Sequence, residues 1–517
     1  MNFLKGISPR EYQKKIFETC LKKNCLVVLP TGLGKTLISL MLTIERMKEF
    51  PGEKVLFLAP TKPLAEQHLN YFKKHLPELF GDIQLFTGNV NAKKRKEIWR
   101  TADIIFSTPQ CIANDLKKNL YNLKYVCLLI EDEAHRCVKN YDYNYVANEY
   151  KKQAENKRIL GLTASPGSDK NKIKEICENL SIEEVELRTR DSDDVKEYLQ
   201  ELEFEKIMIE FPKEFEKIRQ VLKKIFNDYV SELKSRKLLF RMASKTELIG
   251  LQKKLSFSLS KGNKNFNTML GVSACAQAIK IQHALELLET QTLKSFNRYL
   301  RDINEQAIKK KSKGVVKLAS KHEFNFAIKK SRELLEKNIE HPKIKIIIDL
   351  IKKEKSKNNK SKIIIFTHFR ETATEVSKSI NGLKGVNSKI FVGQAKKQDT
   401  GMNQKEQKKI IDEFSSGKVN VLCATCIAEE GLDIPEVNTV IFYEPVSSAI
   451  RSIQRAGRTA RLMKGKLIIL ITKNTRDEFH YYASRSREKK MHTIIGSIKE
   501  ELANNKLSEQ KTIKNYF

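Results

Sequence analysis

The sequence predicts an α/β protein made of two parallel, doubly wound lobes with an all-helical insertion between them. Three observations carry this. Short apolar or β-branched runs alternate with amphipathic stretches up to about residue 190 and again over about 342–485, the texture of βαβ units whose strands are buried on both faces. Between these regions no proline occurs from Lys213 to His341, and leucine and lysine recur at helical spacing. The length of 517 residues exceeds what one hydrophobic core supports. The expected division is a first lobe at 1–195, a helical insertion at 196–341, a second lobe at 342–485 and a tail at 486–517.

The strands of the first lobe are read at Leu26–Leu29, Val55–Ala59, Ile104–Phe106, Val126–Ile130 and Ile159–Thr163. The first of these runs into Pro30-Thr31-Gly32-Leu33-Gly34-Lys35-Thr36. A strand entering a glycine-rich turn that ends in Gly-Lys-Thr is a phosphate cradle. Backbone N–H groups close around the oxygens, Lys35 supplies positive charge and the Thr36 hydroxyl ligates Mg²⁺. The general pattern opens with glycine where this chain has Leu29, so Gly32 is the glycine inside the turn. Val126–Ile130 leads to Asp132-Glu133-Ala134-His135. Two carboxylates at a strand end supply a metal ligand, Asp132, and a neighbour, Glu133, that orients attacking water. The two motifs together predict a nucleoside triphosphate hydrolase with ATP and Mg²⁺ as its cofactors.

The insertion carries 28 Lys/Arg against 13 Asp/Glu over 213–340, within a chain of 96 Lys/Arg and 63 Asp/Glu and net charge +33. An excess of that size points to a polyanionic partner, most simply nucleic acid. Lys352–Lys362, rich in lysine and asparagine, reads as a surface loop ahead of the second lobe.

The second lobe's strands are read at Ile363–Thr367, Val419–Cys423, Val440–Tyr443 and Leu467–Thr472. Gln454-Arg455-Ala456-Gly457-Arg458-Thr459-Ala460-Arg461 places three arginines within seven residues. Arginine suits the charge of a transferring phosphoryl group, and Arg458 and Arg461 share a helix face. An active site split between the lobes follows, with hydrolysis dependent on cleft closure.

Nine cysteines, scattered in apolar contexts, read as reduced core thiols. Cys423-Ala-Thr-Cys426 lacks a second Cys/His pair nearby and reads as core packing rather than a zinc site. No apolar run reaches membrane-span length and the start of the chain lacks an apolar signal region. The expectation is an intracellular protein, cytoplasmic and associated with the nucleoid, with no membrane partner.

With these motifs in order, the chain resembles superfamily 2 helicases, and within them the Hef/FANCM type. The resemblance runs from Pro9-Arg-Glu-Tyr-Gln13 to about Ala483, through Ala59-Pro-Thr-Lys-Pro-Leu64, Ser107-Thr-Pro109, Thr163-Ala-Ser-Pro-Gly167, Phe366–Arg370, Asn403–Gln407, Thr425–Asp433 and Gln454–Arg461. It implies two RecA-like lobes. It also implies that Gln13 reads the adenine edge, that Thr31, Gly32, Gly34, Lys35, Thr36 and Asp433 line the nucleotide site, and that Thr36 and Asp132 hold Mg²⁺. Glu133 would be the catalytic base, Gln454 with His135 would couple the lobes, and Arg458 and Arg461 would be arginine fingers. Thr163 and Ser165 would link hydrolysis to strand movement, while Thr61, Thr108 and Thr425 would touch DNA phosphates. Movement would run 3′ to 5′ on one strand, with the insertion clamping a duplex or branch. Ala460 stands where glycine is usual. Some archaeal Hef proteins add a nuclease module. The roughly thirty residues after this helicase core hold no such carboxylate cluster, so the expectation is that the chain is not its own nuclease and that any structure-specific nuclease partner is separately encoded.

Two other readings share these features: a double-stranded RNA-dependent translocase, and a clamp-bound scaffold whose ATPase switches affinity. The chain's last residues, Gln510-Lys-Thr-Ile513-Lys-Asn-Tyr516-Phe517, resemble the peptide by which replication proteins dock on the sliding clamp PCNA. One 3₁₀-like turn gathers Ile513, Tyr516 and Phe517 into an apolar plug beside Gln510.

Overall fold

The computed structural model describes residues 3–199, 201–262, 265–393, 401–425, 434–446, 448 and 464–504. In the first lobe the chain runs through α1 (Glu11–Lys22), β1 (Cys25–Val28), α2 (Lys35–Glu49), β2 (Lys54–Leu58), α3 (Lys62–His75), β3 (Ile83–Phe86) and α4 (Ala92–Thr101). It continues through β4 (Ile104–Ser107), α5 (Pro109–Lys117), β5 (Val126–Asp132), α6 (Asp142–Gln153), β6 (Ile159–Thr163), α7 (Lys170–Asn179), β7 (Glu184–Leu187) and α8 (Asp193–Lys196). Seven parallel strands lie in the order β3-β4-β2-β5-β6-β1-β7. Both faces are apolar because helices cover both: Leu26, Leu56 and Leu129 face one layer, Val27, Phe57 and Ile130 the other.

The second lobe begins earlier in the chain than its composition indicates. Leu202–Ile209, expected within the all-helical insertion, is strand β8 and pairs in parallel with β13 (Gly465–Thr472) over eight residues, Leu202↔Gly465 to Ile209↔Thr472. Lys466, nearly buried, answers the acidic faces of β8 through Glu203 at 3.1 Å and Glu205 at 2.6 Å. The remaining elements are α15 (Pro342–Lys357), β9 (Ile363–Phe366), α16 (Arg370–Ile380), β10 (Ser388–Phe391), α17 (Gln404–Ser415), β11 (Val421–Ala424) and β12 (Thr439–Phe442). They complete a sheet ordered β10-β11-β9-β12-β13-β8. The stretch expected as the loop 352–362 is helical to Lys357, because the Lys355 ammonium turns inward to the Asn359 and Ser361 carbonyls at 3.2 and 2.7 Å.

The insertion comprises α9 (Lys213–Ser235), α10 (Lys245–Ser260), α11 (Phe266–Thr290), α12 (Leu293–Ile308), α13 (Lys313–Ala319) and α14 (His322–Glu336) around its own core. Its attachment to the second lobe is buried and polar. Gln291, between α11 and α12, donates to Glu444 at 3.2 Å and accepts from Thr372 at 2.7 Å. Lys343 on α15 donates to the Thr290 carbonyl at 3.0 Å and to Asp477 at 2.6 Å. Gln291, Thr372, Glu444, Lys343 and Asp477 each find a buried partner across this seam, which fixes the insertion on the second lobe.

The last described helix, α18 (Arg476–Ala503), starts on the second lobe, where the Asp477 carboxylate accepts from Lys343 and from the Thr472 amide. It ends on the first lobe: Met491, Ile494, Ile495 and Ile498 join that lobe's core, and Glu501 pairs with Lys170 and Lys174 at 2.7 and 2.6 Å. The stretch from 486, expected as a tail beyond the second lobe, is thus helical and docked through Ala503. The eight cysteines among the described residues are free and buried, Cys423 included. No described helix is long and apolar enough to cross a membrane.

Candidate nucleotide and nucleic-acid site

The site lies at the C-terminal ends of the parallel strands, where βα turns converge. After β1 the chain turns through Gly32 at φ 90° and Gly34 at φ 78°. These are left-handed values that glycine adopts without penalty. Gly34 also sits against Gln13: a Cβ there would lie 2.2 Å from the Gln13 amide nitrogen. The turn's shape is held from α1, since the Tyr12 hydroxyl and the Gln13 amide donate to the Leu33 carbonyl at 2.8 and 3.1 Å. The Gln13 carbonyl oxygen accepts from the Arg10 amide at 2.8 Å. Gln13, expected at the adenine edge, therefore also braces the phosphate turn, with one amide proton to spare for a base. Lys35 donates to the Leu29 carbonyl at 2.8 Å, folding over the turn it follows.

Asp132 ends β5 beside this turn. Between it and Thr36 stands a residue that the sequence reading did not single out. His68 on α3 places Nε2 2.9 Å from Asp132 Oδ2 and Nδ1 3.4 Å from Thr36 Oγ1, its ring packed on Phe57. Burial alone would push the Asp132 carboxyl up, but the charge and hydrogen bond of His68, with Lys35 behind them, hold it below the ordinary carboxylate range. The Tyr143 hydroxyl donates to the Asp132 carbonyl at 2.7 Å and fixes the strand end. A half-buried hydroxyl and a buried carboxylate kept ionised, both held by one histidine, suit a divalent cation with hard oxygen ligands. Thr36 and Asp132 would hold Mg²⁺ there. Glu131, next in the same run, is fully buried and pushed well up by burial, which leaves Asp132 and Glu133 to serve the site.

Glu133 follows with a left-handed backbone, φ 53°, an uncommon conformation for a side chain with a Cβ and one that recurs at functional sites. A chain of contacts leads away from it. His135 Nδ1 lies 3.2 Å from Glu133 Oε2 and 3.2 Å from Thr163 Oγ1. The Thr163 hydroxyl donates to the Ser165 carbonyl at 3.1 Å, and the Ser165 hydroxyl donates to Met491 Sδ on α18 at 2.9 Å. The carboxylate expected to handle water is thereby joined to the helix rooted in the second lobe.

Thr61 and Thr108 are the N-cap residues of α3 and α5, at the ends of the adjacent strands β2 and β4. Neither side chain caps its own helix, so both hydroxyls stand at helix N-termini, where anions are favoured. Thr425 follows β11, its amide donating to the Phe391 carbonyl at 3.1 Å. Asp433, Gln454, Arg458 and Arg461 lie outside the described residues, as do Gln510, Ile513, Tyr516 and Phe517.

The chain matches the DEAD/DEAH box helicase model over residues 10–174 and the helicase conserved C-terminal domain model over 342–463. A helical-bundle model described as that of a "Putative ATP-dependent RNA helicase" matches 214–340. The crystal structure of the Pyrococcus furiosus Hef helicase domain aligns with a TM-score of 0.71 at 41% identity, over 92% of this chain and 98% of that one. A Methanocaldococcus jannaschii protein named "Putative ATP-dependent RNA helicase" is 38% identical over 96% of this chain and 61% of its own length. The ATP-dependent DNA helicase mph1 of Sclerotinia sclerotiorum is 31% identical over 94% and 41%, and the mouse Fanconi anemia group M protein homolog 30% over 95% and 26%. The chain thus spans between about a quarter and three fifths of these longer relatives.

Proposed function

The chain belongs to the superfamily 2 helicases of the Hef/FANCM type, and from that membership we propose that it is an ATP-driven motor on branched DNA, such as stalled replication forks. The observation that best supports this is the contact chain Glu133–His135–Thr163–Ser165–Met491. It gives the hydrolytic carboxylate a physical route to the second lobe. In this reading Lys35 and the turn amides bind phosphate, Gln13, Thr31 and Asp433 line the nucleotide, and Glu133 orients water. Bound Mg²⁺ would neutralise charge on the phosphates. Gln454 couples the lobes, and Arg458 and Arg461 reach the γ-phosphate on closure. Thr61, Thr108 and Thr425 carry one DNA strand by its phosphates. The basic insertion holds the branch.

The tail Gln510–Phe517 would tether the motor to the sliding clamp PCNA and, through it, to a separate structure-specific nuclease near the nucleoid. Calorimetry of a 507–517 peptide against the clamp tests this part: no binding, or binding unchanged by Tyr516→Ala with Phe517→Ala, removes it.

A duplex-RNA motor is the second reading. It is favoured by the names of the helical-bundle model and of the Methanocaldococcus relative, both of which specify RNA. Measuring ATP turnover and strand separation on single strands, forks, four-way junctions and RNA duplexes decides between them. Greatest stimulation by RNA duplex overturns the DNA reading. Stimulation without strand separation favours the clamp-bound scaffold with a switching ATPase.

A further inference from the structure

One end of the insertion presents aromatic rings to solvent. α10 and α11 lie antiparallel: Lys245, opening α10, pairs with Glu286 late in α11 at 2.6 Å. Gly271, early in α11, faces Leu238 and Leu255 so closely that a Cβ there would lie 2.4 and 3.1 Å from their methyl carbons. Arg236 donates to the Asn267 side-chain oxygen at 3.2 Å, and Asn267 returns a bond to the Arg236 carbonyl at 3.4 Å. The turn after α9, the end of α10 and the start of α11 therefore meet at one end. There Phe257 and Phe266 are 61 and 75% exposed, with Met269 exposed beside them, and Phe240, 84% exposed, follows two residues after Leu238 on the segment that leads from this end toward α10. The core beneath is already closed by Leu233, Leu239 and Leu248, so the rings are surplus to folding.

The charge around them is one-sided. Lys234 to Met269 contains nine Lys/Arg and a single carboxylate, Glu247. The Lys261 ammonium lies 4.7 Å from the centre of the Phe257 ring. Protein–protein contact surfaces are depleted in lysine, whereas aromatic faces among lysines are the equipment of single-strand binders, rings for the bases and cations for the backbone. We propose that this end is a stacking surface for unpaired nucleobases, with Phe240, Phe257 and Phe266 as platforms and Lys253, Lys254 and Lys261 on the flanking phosphates. The proposal rests on the nucleic-acid motor reading and adds a site remote from the ATP cleft. The 25 residues of α11 span roughly 37 Å at 1.5 Å per residue, and the far end of that helix is the one fixed to the second lobe. Bases held here lie beyond the track between the lobes, as the free arm of a branch does.

The test uses the full chain carrying Phe240→Ala, Phe257→Ala and Phe266→Ala together. Its ligands are oligo-dT, oligo-rU, a fork with 2-aminopurine in one single-stranded arm, and a blunt duplex. Because the rings are exposed, the melting temperature should match the wild type. Single-strand and fork affinities should fall at least tenfold, the 2-aminopurine quench should disappear, and blunt-duplex affinity should move less than twofold. The slope of affinity against salt should hold, since no cation is removed. Loss on either oligonucleotide supports the surface. A variant binding both, and the fork, within twofold of wild type overturns it, and loss of self-association instead would reassign the rings to a protein contact. A wild-type chain that binds no nucleic acid at all would defeat the motor reading first.

Discussion

His68 and Asp132 meet at 2.9 Å, Nε2 to Oδ2, while the other ring nitrogen reaches Thr36 at 3.4 Å. The imidazole sets the spacing and orientation of the two oxygens proposed to share Mg²⁺. Removing such an outer partner typically weakens metal use by about ten- to a hundredfold. His68→Ala is expected to raise the Mg²⁺ concentration giving half-maximal ATP turnover by about tenfold, and to weaken Mg²⁺-dependent binding of ADP in calorimetry. His68→Gln, which keeps a polar end, should recover part of both. An unchanged Mg²⁺ requirement in His68→Ala would reduce the ring to packing.

Lys35→Ala and Glu133→Gln should each lower ATP turnover by on the order of a hundredfold or more, the cost of one transition-state group. DNA affinity should stay within about threefold, because Thr61 and Thr108 sit on other strand ends. Steady-state ATPase and anisotropy measure both. Full turnover in Glu133→Gln would remove it as the base.

Arg458→Lys should abolish most hydrolysis while leaving ATP binding largely intact, since an ammonium does not reproduce the planar fork of guanidinium. Comparing turnover with binding of a non-hydrolysable analogue separates the two. Normal turnover would make Arg458 a structural residue.

His341 gives the fold a pH dependence. Burial, with repulsion from Lys343, drives its imidazole down to about 3. Below about 6.5 an unfolded chain takes up a proton that the folded ring refuses, so stability falls as pH drops from about 6.5 toward 3, in total by on the order of a few kcal/mol. The ring also caps α15, Nδ1 accepting from the Lys343 amide at 3.4 Å. His341→Asn keeps a cap and removes the titration. Its melting temperature should therefore decline less steeply than the wild type's between pH 7 and pH 4. Parallel declines would assign the acid sensitivity to carboxylates such as Glu286, which Lys245 and His283 hold down at about 2 against the pull of burial.

Reversing Lys309, Lys310 and Lys311, exposed between α12 and α13, together with Lys313, exposed at the start of α13, should weaken DNA binding and flatten its salt dependence. Each lost phosphate contact removes a slope of about 0.9. Titrations at several salt concentrations check this, and an unchanged slope takes the patch off the DNA path.

The two sheets and their strand-end motifs were legible because each motif follows an apolar run whose length and flanks mark a buried strand. Val126–Ile130 before Asp132 and Leu26–Leu29 before the glycine turn both lie where they were read. His68 was hidden by its position: it follows Leu64 and Ala65 and precedes Leu69 and Phe72 on the buried stripe of α3, so periodicity assigns it to the core. Strand β8 escaped because Glu203 and Glu205 make it look solvated, and only Lys466, more than 250 residues later, explains them. The docking of α18 was invisible for a similar reason. Its arginines and lysines dominate the local composition, while the few apolar residues that matter find their partners in the first lobe.

The chain passes between the lobes twice among the described residues, outward through β8 and back along α18. A body hung from a single tether can tumble about three axes. One held at two separated points is left with a swing about the line that joins them. Under the motor reading, cleft closure is then a guided stroke and not a search through orientations, and little of the free energy of ATP binding goes into finding the closed pose. Because Met491 on the returning helix touches Ser165, the same swing bears directly on the residues behind Glu133, and the hinge itself becomes a moving part of the engine.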